Sequence, residues 1–347
     1  MASHLSTSDD TWSKLPADLL GEVYGRIVSP LDRVRFTAVC RSWRVVKSRQ
    51  QPAPTLPWLI FARYQDGTMC VLCPMDGVPL SVPLPPDAVH NRLVGFHDGG
   101  WVAAASSRGG DDNSNNSLAI VNAFSGVEAP LSAKQRATPW IDKLVCSDRP
   151  TLNRCILAAV LADGLGVCKV GCRNHDWWRS RKDHRYDDIA FYDGKICGLL
   201  GGLPRRLHMY TISMTKRSDL VVSITYELNM SQLPMCVGSR DMSYIFKHGD
   251  RMLMAKRAQW TVLQNTVFFK VFELTKNTCH GYSWAEVTTL DDHALFLSTM
   301  SSKMMKDKGI NGVDRIKSIG YYITSTYYSY NITGHYKGLM WLLPPEF

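Results

Sequence analysis

The sequence predicts an α+β chain in which a small helical segment precedes a much larger all-β domain. Apolar residues recur at helical spacing over residues 13–48. Beyond residue 57 they fall instead into short runs rich in Val, Ile, Tyr and Phe, which turn residues separate. Residues 51–57, between the two parts, are rich in proline and have no regular period, which is typical of a stiff linker.

The helical segment is predicted to contain three short helices. The apolar positions of the first helix are Leu15, Leu19, Leu20, Val23, Tyr24 and Ile27. Their spacing places them along one face. The run Ser29-Pro30-Leu31-Asp32 is typical of the start of a second helix, and a third helix holds Trp43. A piece shorter than about 40 residues seldom folds alone, so we expect another surface to cover the apolar stripe.

Small turns recur along the all-β part of the chain. They are Asp66-Gly67, Asp98-Gly99, Asp163-Gly164, Asp193-Gly194, Gly249-Asp250 and a weaker candidate at Asp291-Asp292. Asp-Gly supplies the positive φ angles that tight hairpins require. The mean spacing of these turns, 45 residues, is that of propeller blades, although single intervals vary from 30 to 65 residues. The pattern favours a degenerate β-propeller of about six blades over a large sandwich or barrel, which would leave similar traces.

Residues 15–46 resemble the F-box. The family pattern is Leu-Pro, a Leu-rich helix, Leu-x-Asp at the second helix, then Val-Cys and a Trp followed by Arg. The matching residues are Leu15-Pro16, Leu19-Leu20, Leu31-Asp32, Val39-Cys40 and Trp43-Arg44. Gly21, Gly25 and the polar Ser29 depart from this pattern, which suggests a somewhat weaker docking helix and not a different module.

The remainder resembles the C-terminal domain of a large plant F-box family, catalogued as domain of unknown function 295 and kelch-like in its expected propeller. The stretches that carry the resemblance are 188–200, 269–298 and 338–347. It implies a disordered N-terminus over residues 1–12 and an F-box over 13–50. The Pro-rich linker over 51–57 then leads to a propeller-like substrate-recognition domain over 58–347.

Members of this family are taken to be substrate receptors of SCF-type ubiquitin ligases. The F-box docks on a Skp-type adapter, which links it to a cullin and its RING partner, and the C-terminal domain presents a protein target. The resemblance therefore implies a non-catalytic receptor subunit that needs no cofactor or metal. The residues to which it assigns contact with the adapter are Leu15, Pro16, Leu19, Leu20, Val23, Ile27, Leu31, Val34, Val39, Cys40 and Trp43. We expect about half of them to pack inside the F-box instead.

Other functions remain open at this point. The net charge of +9 and the stretch 172–186, where Trp177 and Trp178 stand among basic residues, would suit a nucleic-acid-binding β protein. A buried Trp followed by a solvated loop would give the same pattern, which is the interpretation we favour. An F-box protein that binds the adapter but recruits no ubiquitination target is a further alternative, and an enzyme built on the propeller is another.

Two motifs that could indicate a cofactor or metal site do not have the residue spacing that such a site requires. Gly164-Leu-Gly166 lacks the third glycine of a dinucleotide-binding loop at the required distance and is predicted to be a hairpin turn. Cys70 and Cys73 form a lone C-x-x-C, which favours buried strand cysteines over a zinc site. The aromatic residues between Tyr321 and Tyr330 favour strand packing over a ligand platform.

Charge and cysteine content bear on partners and location. The basic excess lies in three patches, 30–50, 169–185 and 303–317; in the first, six basic residues face Asp32 alone, which suits an acidic protein partner. The ten cysteines follow no framework spacing, which is typical of a reducing compartment. The sequence contains no secretory signal pattern and no apolar run near the length of a membrane span. We therefore expect a cytoplasmic or nuclear protein, or one found in both places, that has no membrane partner.

Overall fold

The fold is described from a computed structural model of the chain. The residues that it describes are 15–27, 30–47, 58–63, 69–72, 79–81, 91–105, 117–137, 140–172, 177–180, 184–201, 206–215, 220–230, 243–259, 267–277, 281–290, 293–298, 300–306, 321–323 and 336–342. The expected disordered N-terminus at 1–12 and the expected linker at 51–57 lie outside these ranges, so both stay predictions.

Three helices form at the N-terminal end, and together they make what we call the helical unit, residues 15–47. They are α1 (Ala17–Arg26), α2 (Pro30–Ala38) and α3 (Arg41–Val46). Leu20 and Tyr24, one turn apart on α1, are almost fully buried and pack with Phe36 and Val46. The Tyr24 and Phe36 ring centroids lie 5.4 Å apart, and the Phe36 ring stands 4.4 Å from that of Trp43. The helical unit therefore has a small aromatic core of its own.

The rest of the described chain is almost entirely strand. The strands are β1 (Trp58–Arg63), β2 (Met69–Leu72), β3 (Pro79–Ser81), β4 (Arg92–His97), β5 (Trp101–Ala105), β6 (Leu118–Asn122), β7 (Ile141–Cys146), β8 (Ile156–Leu161), β9 (Gly164–Lys169), β10 (Trp178–Arg179), β11 (Tyr186–Tyr192), β12 (Lys195–Leu200), β13 (Arg206–Met214), β14 (Leu220–Asn229), β15 (Ser243–His248), β16 (Arg251–Gln259), β17 (Val267–Asn277), β18 (Gly281–Val287), β19 (His293–Leu297), β20 (Ser302–Lys306), β21 (Tyr321–Ile323) and β22 (Tyr336–Leu342). One short helix, α4 (Ala133–Arg136), follows β6.

These strands form five sheets among the described residues. Four of the sheets have the orders β22-β1-β2-β3, β11-β12-β13-β14, β15-β16-β17-β18 and β20-β19-β21. The fifth has seven strands, β10-β9-β8-β7-β4-β5-β6, and its two halves meet where Gly95 of β4 pairs with Leu144 of β7 in parallel. Dividing it there gives six groups of strands, which we number along the chain from group one (β1–β3 with β22) to group six (β19–β21).

Successive groups pack face to face. A separate apolar cluster fills each of the five spaces between groups one and two, two and three, three and four, four and five, and five and six. The strand β8 illustrates the arrangement, because Leu157 and Ala159 face group two whereas Ala158 and Val160 face group four. Burial on both faces explains why β8 is an uninterrupted apolar run instead of an alternating one.

One edge strand from each of these groups lies beside an edge strand of the next group. β22 lies next to β4, and β4, β7, β11 and β15 follow in chain order, with β20 beside β15. The two ends of the β part also meet, because β1 pairs antiparallel with β22 from Trp58↔Leu342 to Arg63↔Tyr336. This stacking of small sheets is that of a β-propeller, although a closed ring is not found among the described residues.

Candidate functional site

Exposed apolar side chains are concentrated on the helical unit. Leu19 and Val23, one turn apart on α1, are 54% and 47% exposed, and Val39 and Val45 are 59% and 45% exposed. We call these four residues the exposed apolar set. Only four other large apolar side chains in the described chain are comparably exposed, and those are spread over the much larger β part. Half of the large apolar side chains exposed in the described chain therefore lie on its smallest part.

The structure divides the residues expected to contact the adapter into inward and outward faces. Leu20 is buried inside the helical unit, and Leu15, Ile27 and Trp43 pack against the same core while staying partly accessible. Pro16, Leu19, Val23 and Val39 are exposed, and Cys40 is half-buried. Leu31 and Val34 lie on α2, and their side chains are outside the description. The contact role of each residue stays a prediction.

Sequence reasoning omitted Val45 from this surface. Val45 and Val46 are neighbours on α3, so their side chains point about 100° apart and only one of them can face the core. Val46 is 3% exposed and fills that position, which leaves Val45 outside. The helical period indicates that one of the two valines must face outward, but it does not indicate which one.

Basic side chains are also exposed on the helical unit. Arg41, Arg44 and Lys47 are exposed at α3 and its C-terminal end, and the Nε of Arg44 donates a hydrogen bond to the carbonyl oxygen of Thr37 at 3.2 Å. Arg33 is buried instead; its Nε donates to the Ile27 carbonyl oxygen at 2.9 Å, and burial lowers its pKa. The described helical unit holds six basic residues and three acidic ones, so it carries a net positive charge.

Cys40 lies at the start of α3, beside the exposed apolar set. A hydrogen bond between its thiol and the Ser42 hydroxyl, 3.0 Å apart, is the main cause that lowers the pKa of the Cys40 thiol. The thiol is small and only half-buried, so it adds a weakly polar contact to an otherwise apolar surface.

The tryptophans at 177 and 178 are engaged within the β part. Trp177 is 7% exposed, and its indole N–H points to the carbonyl oxygen of Gln135 at 3.4 Å. Trp178 packs edge-on against the Tyr210 ring with centroids 6.5 Å apart. The Trp177 ring is therefore buried within the β part and not available for stacking, whereas Trp178 stays partly exposed. Residues 173–176 and 181–183, which hold part of the basic stretch, lie outside the described residues.

The other candidate motifs also fall on strands. Gly164 and Gly166 belong to β9, where Gly166 pairs with Ala159. A hairpin is present here, but its turn is formed by Ala162 and Asp163, so the prediction of a turn at Gly164-Leu-Gly166 was wrong. Cys70 is buried in β2, whereas Cys73 is outside the description. Most of the aromatic run from Tyr321 to Tyr330 is likewise outside it. Within the described ranges, no three His, Cys, Asp or Glu side chains are arranged to hold a metal ion.

None of the helices in the described parts of the chain has the length and apolarity to cross a bilayer.

Comparison with known proteins gives a family and a relative. The family model of the KIB1-4 beta-propeller matches residues 73–318, about 70% of the chain. A protein of Arabidopsis thaliana named as an F-box protein is 21% identical over 322 residues, which cover 86% of this chain and 79% of the relative.

Among solved structures, one similar chain is a Bacteroides uniformis protein described as a 6-phosphogluconolactonase. It is 9% identical, with a TM-score of 0.28, over 67% of this chain and 81% of that one. At this TM-score the likeness bears on neither fold nor function.

Proposed function

Because this chain belongs to the KIB1-4 β-propeller family, we propose that it is the substrate-recognition subunit of an SCF-type ubiquitin ligase. In this proposal the helical unit is an F-box that docks on a Skp-type adapter, which connects it to a cullin and a RING subunit. The β part holds a protein target for ubiquitin transfer. The chain itself acts without catalytic residues, cofactor or metal, in the cytoplasm or the nucleus, and the β part belongs to the kelch-like type catalogued as domain of unknown function 295.

The exposed apolar set is the observation that carries the proposal. Leu19, Val23 and Val39 are exposed to water in this chain. Fully burying one apolar side chain of this size contributes about 1.5–3 kcal/mol, so covering these residues with an adapter would stabilise the complex. The exposed basic side chains of the helical unit complement an acidic surface, and such complementarity raises the rate of encounter. The relative named as an F-box protein supports the same assignment.

The β part supports the receptor role through its construction. Six groups of strands with apolar clusters between them make a rigid body whose turns and loops lie at the strand ends. Loops held by a rigid scaffold are where proteins commonly place binding residues. Trp177 is buried and Trp178 packs against Tyr210, which agrees with the strand-packing interpretation of this stretch, so we propose a protein target.

The docking assignment predicts the effect of charging α1. Replacing both Leu19 and Val23 by Asp should weaken binding of a purified Skp-type adapter by tenfold or more, which corresponds to about 1.4 kcal/mol for each factor of ten. The reason is that two carboxylates would be desolvated against an apolar partner surface. Isothermal titration calorimetry with the full chain measures the change. Leu20 is a poor choice for this experiment because its side chain is buried inside the helical unit.

A matched control separates docking from a general effect of added charge. Val127, in the turn after β6, is 49% exposed, nearly the same as Val23. The Val127→Asp variant should bind the adapter as the unchanged protein does. Circular dichroism of both variants should show intact folds, since surface substitutions usually change stability by about 0.5 kcal/mol or less. Unchanged adapter affinity in the folded Leu19→Asp, Val23→Asp variant would refute the docking assignment.

A further inference from the structure

Two histidines meet at the junction between groups five and six. His248 ends β15 of group five, and His293 begins β19 of group six. Their ring centroids lie 5.1 Å apart, with an angle of 81° between the ring planes. Both side chains are half-buried, and the Nδ1 of His293 donates a hydrogen bond to the Leu290 carbonyl oxygen at 3.2 Å. The pair is therefore held between the two groups while staying within reach of protons from solvent.

The apolar cluster between groups five and six lies directly beside this pair. Phe246 precedes His248 by two positions on β15, so both side chains point to the same side of that strand. Leu295 follows His293 by two positions on β19, and the same relation holds there. Phe246 and Leu295 belong to the cluster and are 4% and 0% exposed. A force that separates the two histidine rings would therefore act on the packing of this cluster.

Cations approach the pair from the neighbouring strands. Arg251 on β16 is in register with His248. Lys306 on β20 is in register with His293, although the Lys306 side chain is outside the description. Lys303, also on β20, adds a positive charge whose field reaches His248. A positive charge on either histidine would consequently arise among other positive charges.

Two acids near the junction are paired with these cations. Glu273 on β17 forms an ion pair with Arg251 at 2.5 Å. Asp98, in the β4–β5 turn, forms one with Lys303 at 2.8 Å. The other acids close to the pair along the chain are Asp250, which is exposed, and Asp291 and Asp292, which lie outside the described residues. Glu273 and Asp98 therefore neutralise the cations and not the histidines.

The folded β part favours the neutral form of His248. Burial is the main cause that lowers the pKa of His248. His293 and the positive charges of Arg251 and Lys303 lower it as well, whereas a hydrogen bond with the Met304 backbone opposes them. A histidine in such surroundings takes up a proton more readily when the surroundings open. The electrostatics of the junction thus agree with its geometry.

A second histidine pair, at group four, has nearly the same ring geometry but a different charge environment. The ring centroids of His184 and His208 lie 4.9 Å apart, again with 81° between the planes. The Nε2 of His208 lies 3.4 Å from a carboxylate oxygen of Glu227. That carboxylate would compensate a positive charge on His208. The pair at group four is therefore a matched comparison for the pair at the junction.

We propose that His248 and His293 form a proton-sensitive junction, which holds group six against group five while both rings are neutral and loosens when they are protonated. Two imidazolium rings 5.1 Å apart, beside Arg251 and Lys303, would repel each other and these cations. An exposed histidine has a pKa of about 6.5, and the closed junction binds the His248 proton less readily than that. The junction should therefore be fully stable above about pH 6.5 and weaken progressively below it.

Hydrogen-exchange mass spectrometry of the full chain at about pH 7.5 and about pH 5.5 tests the proposal. Protection is expressed relative to the intrinsic exchange rate at each pH. The strands β19 and β20 should lose protection by about threefold to tenfold in acid, since each proton taken up on opening changes the opening equilibrium by up to about tenfold per pH unit. The strand β8, in group three, should keep its protection. No loss in β19 and β20, or an equal loss in β8, would overturn the proposal.

Variants that cannot be protonated identify the groups responsible. The double variant His248→Gln, His293→Gln should keep the protection of β19 and β20 in acid, because glutamine stays neutral while it still donates and accepts hydrogen bonds. The control His184→Gln should lose protection there as the unchanged chain does. If the folded double variant loses as much as the unchanged chain, the proposal is wrong; if the double variant does not fold, the result for the unchanged chain decides. The adapter is not needed, so either outcome leaves the docking assignment unaffected.

Discussion

Replacing Asp188 by Ala is expected to lower the free energy of unfolding by about 3–5 kcal/mol, one of the largest single effects available in this chain. One carboxylate oxygen of Asp188 binds the Lys143 ammonium and accepts the amide of Ile189 at 2.7 Å, and the other accepts the amide of Ile245 at 2.8 Å. These partners belong to β7, β11 and β15, the first strands of three successive groups. Without the carboxylate, a buried cation and two buried amides lose their acceptor.

The surroundings of this ion pair explain the size of the effect. Lys143 and Asp188 are both nearly inaccessible to water, and burial raises the pKa of the Asp188 carboxyl while Lys143 and the two amides oppose that change. Removing one member of a buried pair leaves the other charge uncompensated, which is far more damaging than losing an exposed pair. The variant should therefore unfold at a clearly lower denaturant concentration than the unchanged chain.

Equilibrium unfolding in urea measures the effect, and an exposed ion pair provides the control. Lys270 and Glu286 join β17 to β18 at 2.9 Å with both side chains well exposed. Glu286→Ala should lower the free energy of unfolding by less than about 1 kcal/mol. Equal losses for Asp188→Ala and Glu286→Ala would contradict the assignment of Asp188 as the link between three groups.

The turns of the β part could be predicted from sequence because their cause is local. Asp98-Gly99, Asp193-Gly194 and Gly249-Asp250 each connect paired strands, as their composition indicated. Gly99, Gly194 and Gly249 have positive φ angles, and Asp193 adopts one at 48°. Glycine and aspartate reach this conformation with little strain, so a pair of residues is enough to specify the turn.

Several strands could not be predicted because their stability depends on distant partners. β7 contains Lys143, which from sequence alone belongs on a solvated surface, and its burial follows from Asp188 45 residues later. Asp188 begins a stretch that the sequence favours as strand, but nothing near it in the sequence indicates that its carboxylate is buried. β13 mixes polar and apolar residues, and its buried His208 depends on Tyr186, whose hydroxyl lies 3.1 Å from the His208 Nδ1. The hydrophobic period of a strand depends only on its own residues, so it cannot reveal side-chain pairs that are distant in sequence.

The docking surface shows the same limit on a smaller scale. The helical period placed Leu19, Leu20 and Val23 on one apolar stripe, but it could not say which part of the stripe is covered by the rest of the unit. Phe36 and Val46, from the other two helices, cover Leu20 and leave Leu19 and Val23 exposed. Which residues of the stripe are buried depends on how the three helices pack, and the packing is seen only in the structure.

Replacing Gly95 by Ala should lower the free energy of unfolding by about 3 kcal/mol, because β4 and β7 meet at this residue. A Cβ added at Gly95 would collide with the carbonyl oxygen of Leu144 and approach its carbonyl carbon at 2.8 Å. Both obstructing atoms are backbone in a buried strand, so no side-chain rotation can relieve the overlap. The two strands would have to separate, which would open the apolar cluster between groups two and three.

Gly249 provides the control, because a methyl group added there would strain the backbone without overlapping a neighbouring atom. Its φ is +57° and nothing lies within 4 Å of the position that a Cβ would occupy, so Gly249→Ala should lower the free energy of unfolding only by about 1 kcal/mol from backbone strain. Gly249→Asn should lower the free energy of unfolding by less than Gly249→Ala, since Asn tolerates a positive φ angle. At Gly95, an Asn side chain would overlap the Leu144 backbone just as an Ala side chain would. Gly95→Asn should therefore lower the free energy of unfolding at least as much as Gly95→Ala does. If urea unfolding shows Gly95→Ala to be as mild as Gly249→Ala, the close contact of β4 with β7 is wrong.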